Sequence, residues 1–245
     1  MGELSYALSF SLVLLAVLLS RLGRLGLETE LLVSSLRAFL QLLALGLVLN
    51  ELLTLKGFLR TLAVLTLMSL FASFIFTERS RSRALFLPAF VSISLSAALP
   101  AGLLVAQGVL KPVAWELLPL GGLLIGNTLN SLTLFYERTK AEIKSRRDEI
   151  EARVALGATL YQALEEVIKS AVKNALLPKL NWLRSAGLVH VPGVAVGMLA
   201  AGVPPVKAVL FQAAVLYALL LAGLLSSYAF ALLAYERLFK ESFRL

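Results

Sequence analysis

The sequence predicts an all-α fold: a polytopic transmembrane helical bundle. Three observations predict it. Of 245 residues, 59% are hydrophobic and only 16% charged, with a mean hydropathy of +0.86; soluble domains sit nearer half apolar and a quarter charged. The apolar residues gather in runs of roughly 20, the length that crosses the hydrocarbon core as a helix. Those runs do not alternate apolar and polar residues, as the strands of a membrane barrel do. A disordered chain, a collagen-like chain and an ordinary cytosolic enzyme are thereby excluded. The absence of cysteine excludes a disulfide scaffold, thiolate metal sites and cysteine nucleophiles. A single histidine argues against a His-rich metal site or a Ser-His-Asp triad.

Seven spans are expected, at 4–20, 33–52, 57–76, 84–105, 117–135, 188–203 and 206–235. In lipid each backbone polar group must be paired within its own segment, which makes these runs helices. The first opens on Met-Gly-Glu-Leu, without the basic n-region of a secretory signal. The sixth is short and contains Pro192-Gly193. The seventh exceeds a perpendicular crossing, so it is expected to tilt or protrude. Orientation follows from basic residues, which collect on the cytoplasmic side. With the N-terminus outside and the C-terminus cytoplasmic, nineteen of the 23 Lys and Arg fall inside; Lys56, Arg60, Lys111 and Lys207 fall outside. The net charge of +8 thus reports topology and calls for no nucleic-acid partner. Trp115 and Trp182 fall at expected boundaries, where amphipathic rings are favoured. No repeat or low-complexity linker divides the chain, so 1–245 reads as one membrane domain.

The one substantial extramembrane segment is 136–187, on the cytoplasmic side. Residues 136–156 are charge-rich and helical in pattern, continuing the fifth span, with Ile143, Ile150, Val154 and Gly157 recurring on one side. Gly157 interrupts. Thr159 and Gln162 form a capping-box pair, which starts a second helix at Leu160. Its apolar positions are Leu160, Ala163, Leu164, Val167, Ile168, Ala171, Val172 and Ala175, the stripe of an amphipathic helix. Glu165 and Lys169 add an i,i+4 pair, and Pro178 is expected to end the helix. The product is a helix–turn–helix elbow whose small-residue tip can enter a groove on a partner. No Gly-x4-Gly-Lys-Ser/Thr phosphate loop occurs in the chain, so any ATP is bound by another polypeptide.

Here the residues carry a resemblance. Glu151-Ala152-x4-Gly157-Ala158, followed by Leu177-Pro178, resembles the EAA-type motif of ABC transporter permeases. Importers place Leu-Pro about two helical turns closer to the Gly, and the longer spacing is similar to that of the FetB-like permeases. That family includes a bacterial iron exporter and a plant aluminium-tolerance half-transporter. Further motifs carry the likeness from the second span to the C-terminus: Arg37-Ala38-x2-Gln41-Leu42-x3-Gly46, Pro119-x2-Gly122-x3-Gly126-Asn127 and Leu156-Gly157-Ala158-Thr159. The longest runs from Gly187-Leu188-Val189 through Pro192-Gly193, Gly197 and Ala201-Gly202 to Pro205-Val206-Lys207-Ala208 and Gln212. The resemblance implies the membrane subunit of a small ABC exporter in the inner (plasma) membrane. ATP and Mg would be bound by a separate ATPase, and the permease would be a homodimer. It also implies that Glu151, Ala155, Leu156, Gly157, Ala158 and Thr159 form the coupling tip on which the ATPase docks.

Polar residues inside spans are candidates for the translocation path, or they are glue between helices. The richest set is Gln41 in the second span with Asn127, Thr128, Asn130 and Ser131 in the fifth. Arg37 sits at the cytoplasmic end of the second span, where it can snorkel to the interface. Pro192 and Gly193 interrupt a short span and, like Pro204-Pro205, can free carbonyls toward a substrate; Met198 and Gln212 join the path candidates. Gly122 with Gly126, and Gly193 with Gly197, read as close-packing pairs or as a dimer seam. The metal question is open. No Asp or Glu lies inside a span except near its outer end, where Glu51 and Glu116 fall, His190 stands alone at a boundary, and Met68 and Met198 are far apart. A hard cation such as ferric iron prefers carboxylate or other oxygen ligands. The cation therefore moves as a complex or weakly coordinated, or the solute is something else. Two other functions compete: a membrane-embedded transferase, which needs acids or His near the interface, and a stand-alone channel or secondary transporter, which lacks intramembrane carboxylates here.

Overall fold

A computed structural model describes residues 9–54 and 56–242. The start of the expected first span, and Arg244, lie outside the described residues. The chain divides into two compact units, Met1–Thr54 and Leu55–Leu245.

The first unit is a helical hairpin of α1 (Ser11–Leu22) and α2 (Glu28–Leu53). Its turn is held by the Ser20 hydroxyl, which donates to Glu28 Oε1 at 2.9 Å and accepts from the Leu27 N–H at 3.3 Å. No residue of α2 is buried within the chain. The exposed side chains are largely Leu, Val and Phe, the composition of a lipid-facing helix.

The second unit contains α3 (Phe58–Ser80), a 3-10 turn (Arg83–Leu85), α4 (Phe86–Ala106), α5 (Ala114–Ser145), α6 (Arg147–Ala155), α7 (Leu160–Ser185), α8 (Gly193–Ala200) and α9 (Pro205–Ser242). Among the described residues there is no sheet, only an isolated bridge between Ala186 and His190. Among the described residues five helices are long and apolar enough to cross a membrane: α2, α3, α4 with its preceding 3-10 turn, α5 and α9. These sites of apolar run and helix coincide with the second, third, fourth, fifth and seventh expected spans.

α3, α4, α5 and α9 pack through small residues, which let helices approach where lipid supplies no hydrophobic drive. Ser73, Ala89, Ser92, Ser96, Ala222, Ser226 and Ser227 are all fully buried. A Cβ on Gly122 would stand 2.8 Å from Met68 Cε, so the end of the methionine on α3 packs directly over this glycine of α5. A Cβ on Gly126, Gly193 or Gly197 would meet no atom within 4 Å among the described residues. At one end of the bundle Phe76, Phe135, Tyr136 and Phe230 join edge to face at 5.2–6.3 Å, geometry that adds to area burial. The Tyr136 hydroxyl donates to Ser80 O at 3.1 Å and ties α5 to α3.

Three expectations are revised. The helix leaving the fifth span is not continuous through 156. It breaks at Arg146, and α6 follows as a separate nine-residue helix. Pro178 does not end α7, which runs on to Ser185. Proline lacks only its own N–H and displaces the carbonyl four residues back; neighbouring helices hold the remaining turns, and α7 packs on both α5 and α9. The Ser170 hydroxyl reaches Glu142 at 2.6 Å and Lys179 reaches Asn127 O at 3.3 Å, so α7 climbs antiparallel to α5. Its far end therefore lies beside the middle of an apolar span. The segment 188–203 is not one helix: a turn at 186–190 leads to α8, which has eight residues and a length of about 12 Å, too short to cross alone.

Candidate functional site

Two places gather the expected residues. The first is the elbow between α6 and α7. α6 is rich in charge and carries Asp148 and Glu149 in its first turn and Arg153 in its last, the order its dipole favours. Glu149 accepts from Arg146 at 2.8 and 3.0 Å and from Arg153 at 2.7 Å; Glu151 accepts from Arg147 at 2.9 Å. The Arg146 hydrogen bonds, with the charges of Arg146 and Arg153, hold the Glu149 carboxyl below the usual carboxylate range. Ile150 is buried and anchors α6, whereas Val154 is exposed.

The helix stops at Gly157, whose φ of +96° L side chains rarely adopt. The Gly157 N–H donates to Val154 O and the Ala158 N–H to Arg153 O, at 3.0 and 3.1 Å, which satisfies the last carbonyls of α6. α7 then opens with the full capping box. The Thr159 N–H donates to Gln162 Oε1 at 2.8 Å and the Gln162 N–H to Thr159 Oγ1 at 3.3 Å. Glu151, Ala155, Leu156, Gly157 and Thr159 are exposed and Ala158 is half-buried. Leu156 is 89% exposed, and no atom lies within 4 Å of a Cβ placed on Gly157. The tip is thus an apolar knob beside an open glycine.

Behind the tip, the expected stripe is the buried face of α7. Ala163, Leu164, Val167, Ile168, Ala171, Val172 and Ala175 are all buried. Each large member contributes about 1.5–3 kcal/mol where it leaves water. Glu165 pairs with Lys169 at 2.8 Å, as expected. Tyr161 meets Tyr235 of α9 edge to face at 5.6 Å. The elbow is therefore joined by a rigid helix to the interior of the bundle.

The second place is a cleft of about 360 Å³ where α7 meets α5. It is lined by Asn127, Asn130, Ser131, Pro178, Lys179 and Trp182, with Leu134 and Ala175. Asn127 Nδ2 donates to Leu123 O at 3.0 Å. The Lys179 ammonium donates to Asn127 O at 3.3 Å and to the Ser131 hydroxyl. Sequence reasoning counted Lys179 with the cytoplasmic charges. The signal was present: Lys179 continues the stripe four residues after Ala175, one residue beyond the proline taken as its end. Thr128 is wholly buried on α5, and its hydroxyl has no hydrogen-bond partner among the described residues.

The remaining candidates lie elsewhere. Gln212 is buried and its Oε1 accepts from the Ala195 N–H at 3.1 Å, tying α9 to the first turn of α8. Pro192, at the head of α8, is buried; Gly193 is exposed and Met198 half-buried. None of these four lines the cleft. His190 stacks on Trp182 at 6.1 Å and shares a 3.3 Å contact with the Ser185 hydroxyl. Arg37 and Gln41 belong to the other compact unit, where they stand one turn apart on an exposed face of α2 with Val33, Leu36, Leu40 and Ala44. Among the described residues no three His, Asp or Glu side chains gather as a metal-binding group.

The chain is similar to proteins of bacteria and plants along nearly its whole length. It is 29% identical over 242 residues to the "Probable iron export permease protein FetB" of Escherichia coli, covering 98% of this chain and 93% of that one. It is 28% identical to the "UPF0014 membrane protein YjkA" of Bacillus subtilis, covering 98% and 96%. It is 30% identical to the "Protein ALUMINUM SENSITIVE 3" of Arabidopsis thaliana, covering 100% and 90%. No solved structure matches. Residues 4–239 match the uncharacterised protein family UPF0014, and the chain, a helical membrane protein, belongs to that family.

Proposed function

We propose that this chain is the permease subunit of an ABC exporter. Two copies span the plasma (inner) membrane, with N-termini outside and C-termini cytoplasmic. Two copies of a separate ATPase bind ATP and Mg and dock on the elbow formed by Glu151, Ala155, Leu156, Gly157, Ala158 and Thr159. The observation that carries the proposal is the elbow itself: an exposed glycine turn with an apolar knob, at the end of a helix whose buried stripe enters the bundle between α5 and α9. A push at that turn moves α7 as a lever, and the cleft at Lys179 lies on the same lever. The sixth crossing is then made by the upper part of α7 with α8, in place of one helix at 188–203. The relative named as an iron export permease supports export of a metal-containing solute.

The test is co-expression with the ATPase encoded by a neighbouring reading frame, followed by native mass measurement of the purified complex. Two permease chains with two ATPase chains are expected. A stable monomer that captures no ATPase would overturn the proposal and revive a stand-alone channel or secondary transporter.

A further inference from the structure

We propose that the cleft at Lys179 binds an oxyanion group, carboxylate or phosphate, of the solute this protein handles. That the solute is then carried rests on the permease function above; that it is bound does not. Lys179 is only 9% exposed, and it reaches into the bundle at the level of Asn127, about 20 Å along α5 from its first residue. An ionised side chain at such a place faces a bundle interior or a cavity and marks a pathway or ligand position. Its partners here are neutral: the Asn127 carbonyl and the Ser131 hydroxyl. They take two of its three N–H donors and leave its charge uncompensated. The salt bridges found among the described residues join other side chains, within 146–153 and on α7.

The cleft beside the ammonium is open and lined with further donors. Asn130, which is exposed, and Trp182, which is half-buried, both line it, and their side chains carry an amide and an indole N–H. A lysine, an amide and an indole N–H around about 360 Å³ form a set that welcomes negative oxygen and repels a bare cation. The lysine stem is also accommodated deliberately. A Cβ on Gly223 of α9 would stand 2.8 Å from Lys179 Cε and 2.9 Å from Cδ. A metal leaving by this route does so inside an anionic complex, with the complexing oxygens on Lys179.

The experiment uses the full chain in nanodiscs, without ATPase or ATP. Equilibrium binding is measured with radiolabelled citrate, with inorganic phosphate and with ferrous iron free of chelator. Saturable binding of citrate or phosphate at one site per chain is expected, and the anion bound tells carboxylate from phosphate. Lys179→Met should weaken it about thirtyfold or more, the usual consequence of removing one partner from a buried charged contact, while Lys179→Arg keeps most of it. Gly223→Ala leaves the charge in place but moves the stem, so it should weaken binding in a chain that folds even if Lys179→Met does not. No anion binding, equal binding by folded Lys179→Met or Gly223→Ala, or Lys179-dependent binding of the bare metal would each overturn the proposal. Anion binding that survives in a chain unable to dock an ATPase would leave this site standing and overturn the exporter function alone.

Discussion

Replacing Gly157 separates shape from stability at the elbow. Its φ of +96° costs an L-residue about 1–2 kcal/mol, whichever side chain follows the Cβ. No atom stands within 4 Å of a Cβ at that position, so Leu adds no clash to what Ala already suffers. Gly157→Ala and Gly157→Leu should therefore melt alike when the permease is alone, about 2–8 °C below the parent for a domain of this size. The two part only when the ATPase is present. Leucine fills the open space that a groove wall would approach, and alanine fills little of it. Thr159→Ala is the control: it loses a cap worth about 1 kcal/mol and leaves the tip's outline unchanged. The assay is ATPase retention on the immobilised permease and stimulated hydrolysis, both normalised to folded protein. Leu should lose docking well beyond Ala, and Thr159→Ala should keep it. If Leu and Ala dock equally well, the space above Gly157 is not a contact surface and the elbow is not the docking site.

Two further outcomes follow from the same architecture. Leu164→Ala empties a fully buried place in the α7 stripe and should cost about 2–5 kcal/mol, read as lower thermal stability with coupling lost in proportion to unfolded protein. Cysteines placed singly at 144 and 111 should label from opposite sides of sealed vesicles, the first from the cytoplasmic face; labelling of both from one side contradicts the topology.

Local chemistry was the most legible part. The capping box at Thr159, the buried stripe from Ala163 to Ala175 and the Glu165–Lys169 pair depend on residues three or four apart, and such pairs declare themselves in sequence. The long apolar runs were equally plain, because lipid demands length and apolarity and little else. What was missed depends on neighbours far along the chain. Pro178 signals a helix end only if nothing outside the helix holds the turns beyond it, and here α5 and α9 do. Accepting that end placed Lys179 in the cytoplasm, although its spacing from Ala175 puts it on the buried face. Asn127 and Ser131 were recognised in one cluster, but their partner across the cleft, Lys179, lies some 50 residues away. Gln212 has the same character: its contact with Ala195 makes it an anchor for α8, which sequence spacing alone did not distinguish from a path-lining amide.

The central claim is that an ATPase drives solute through this chain. It is tested most directly by flux in sealed proteoliposomes containing the permease with or without its ATPase, with the elbow facing out and iron citrate supplied on that side. The account predicts accumulation inside the vesicles only when both proteins and ATP with Mg are present, and its loss in Gly157→Leu. Equal flux through the permease alone, without ATPase or ATP, would contradict it.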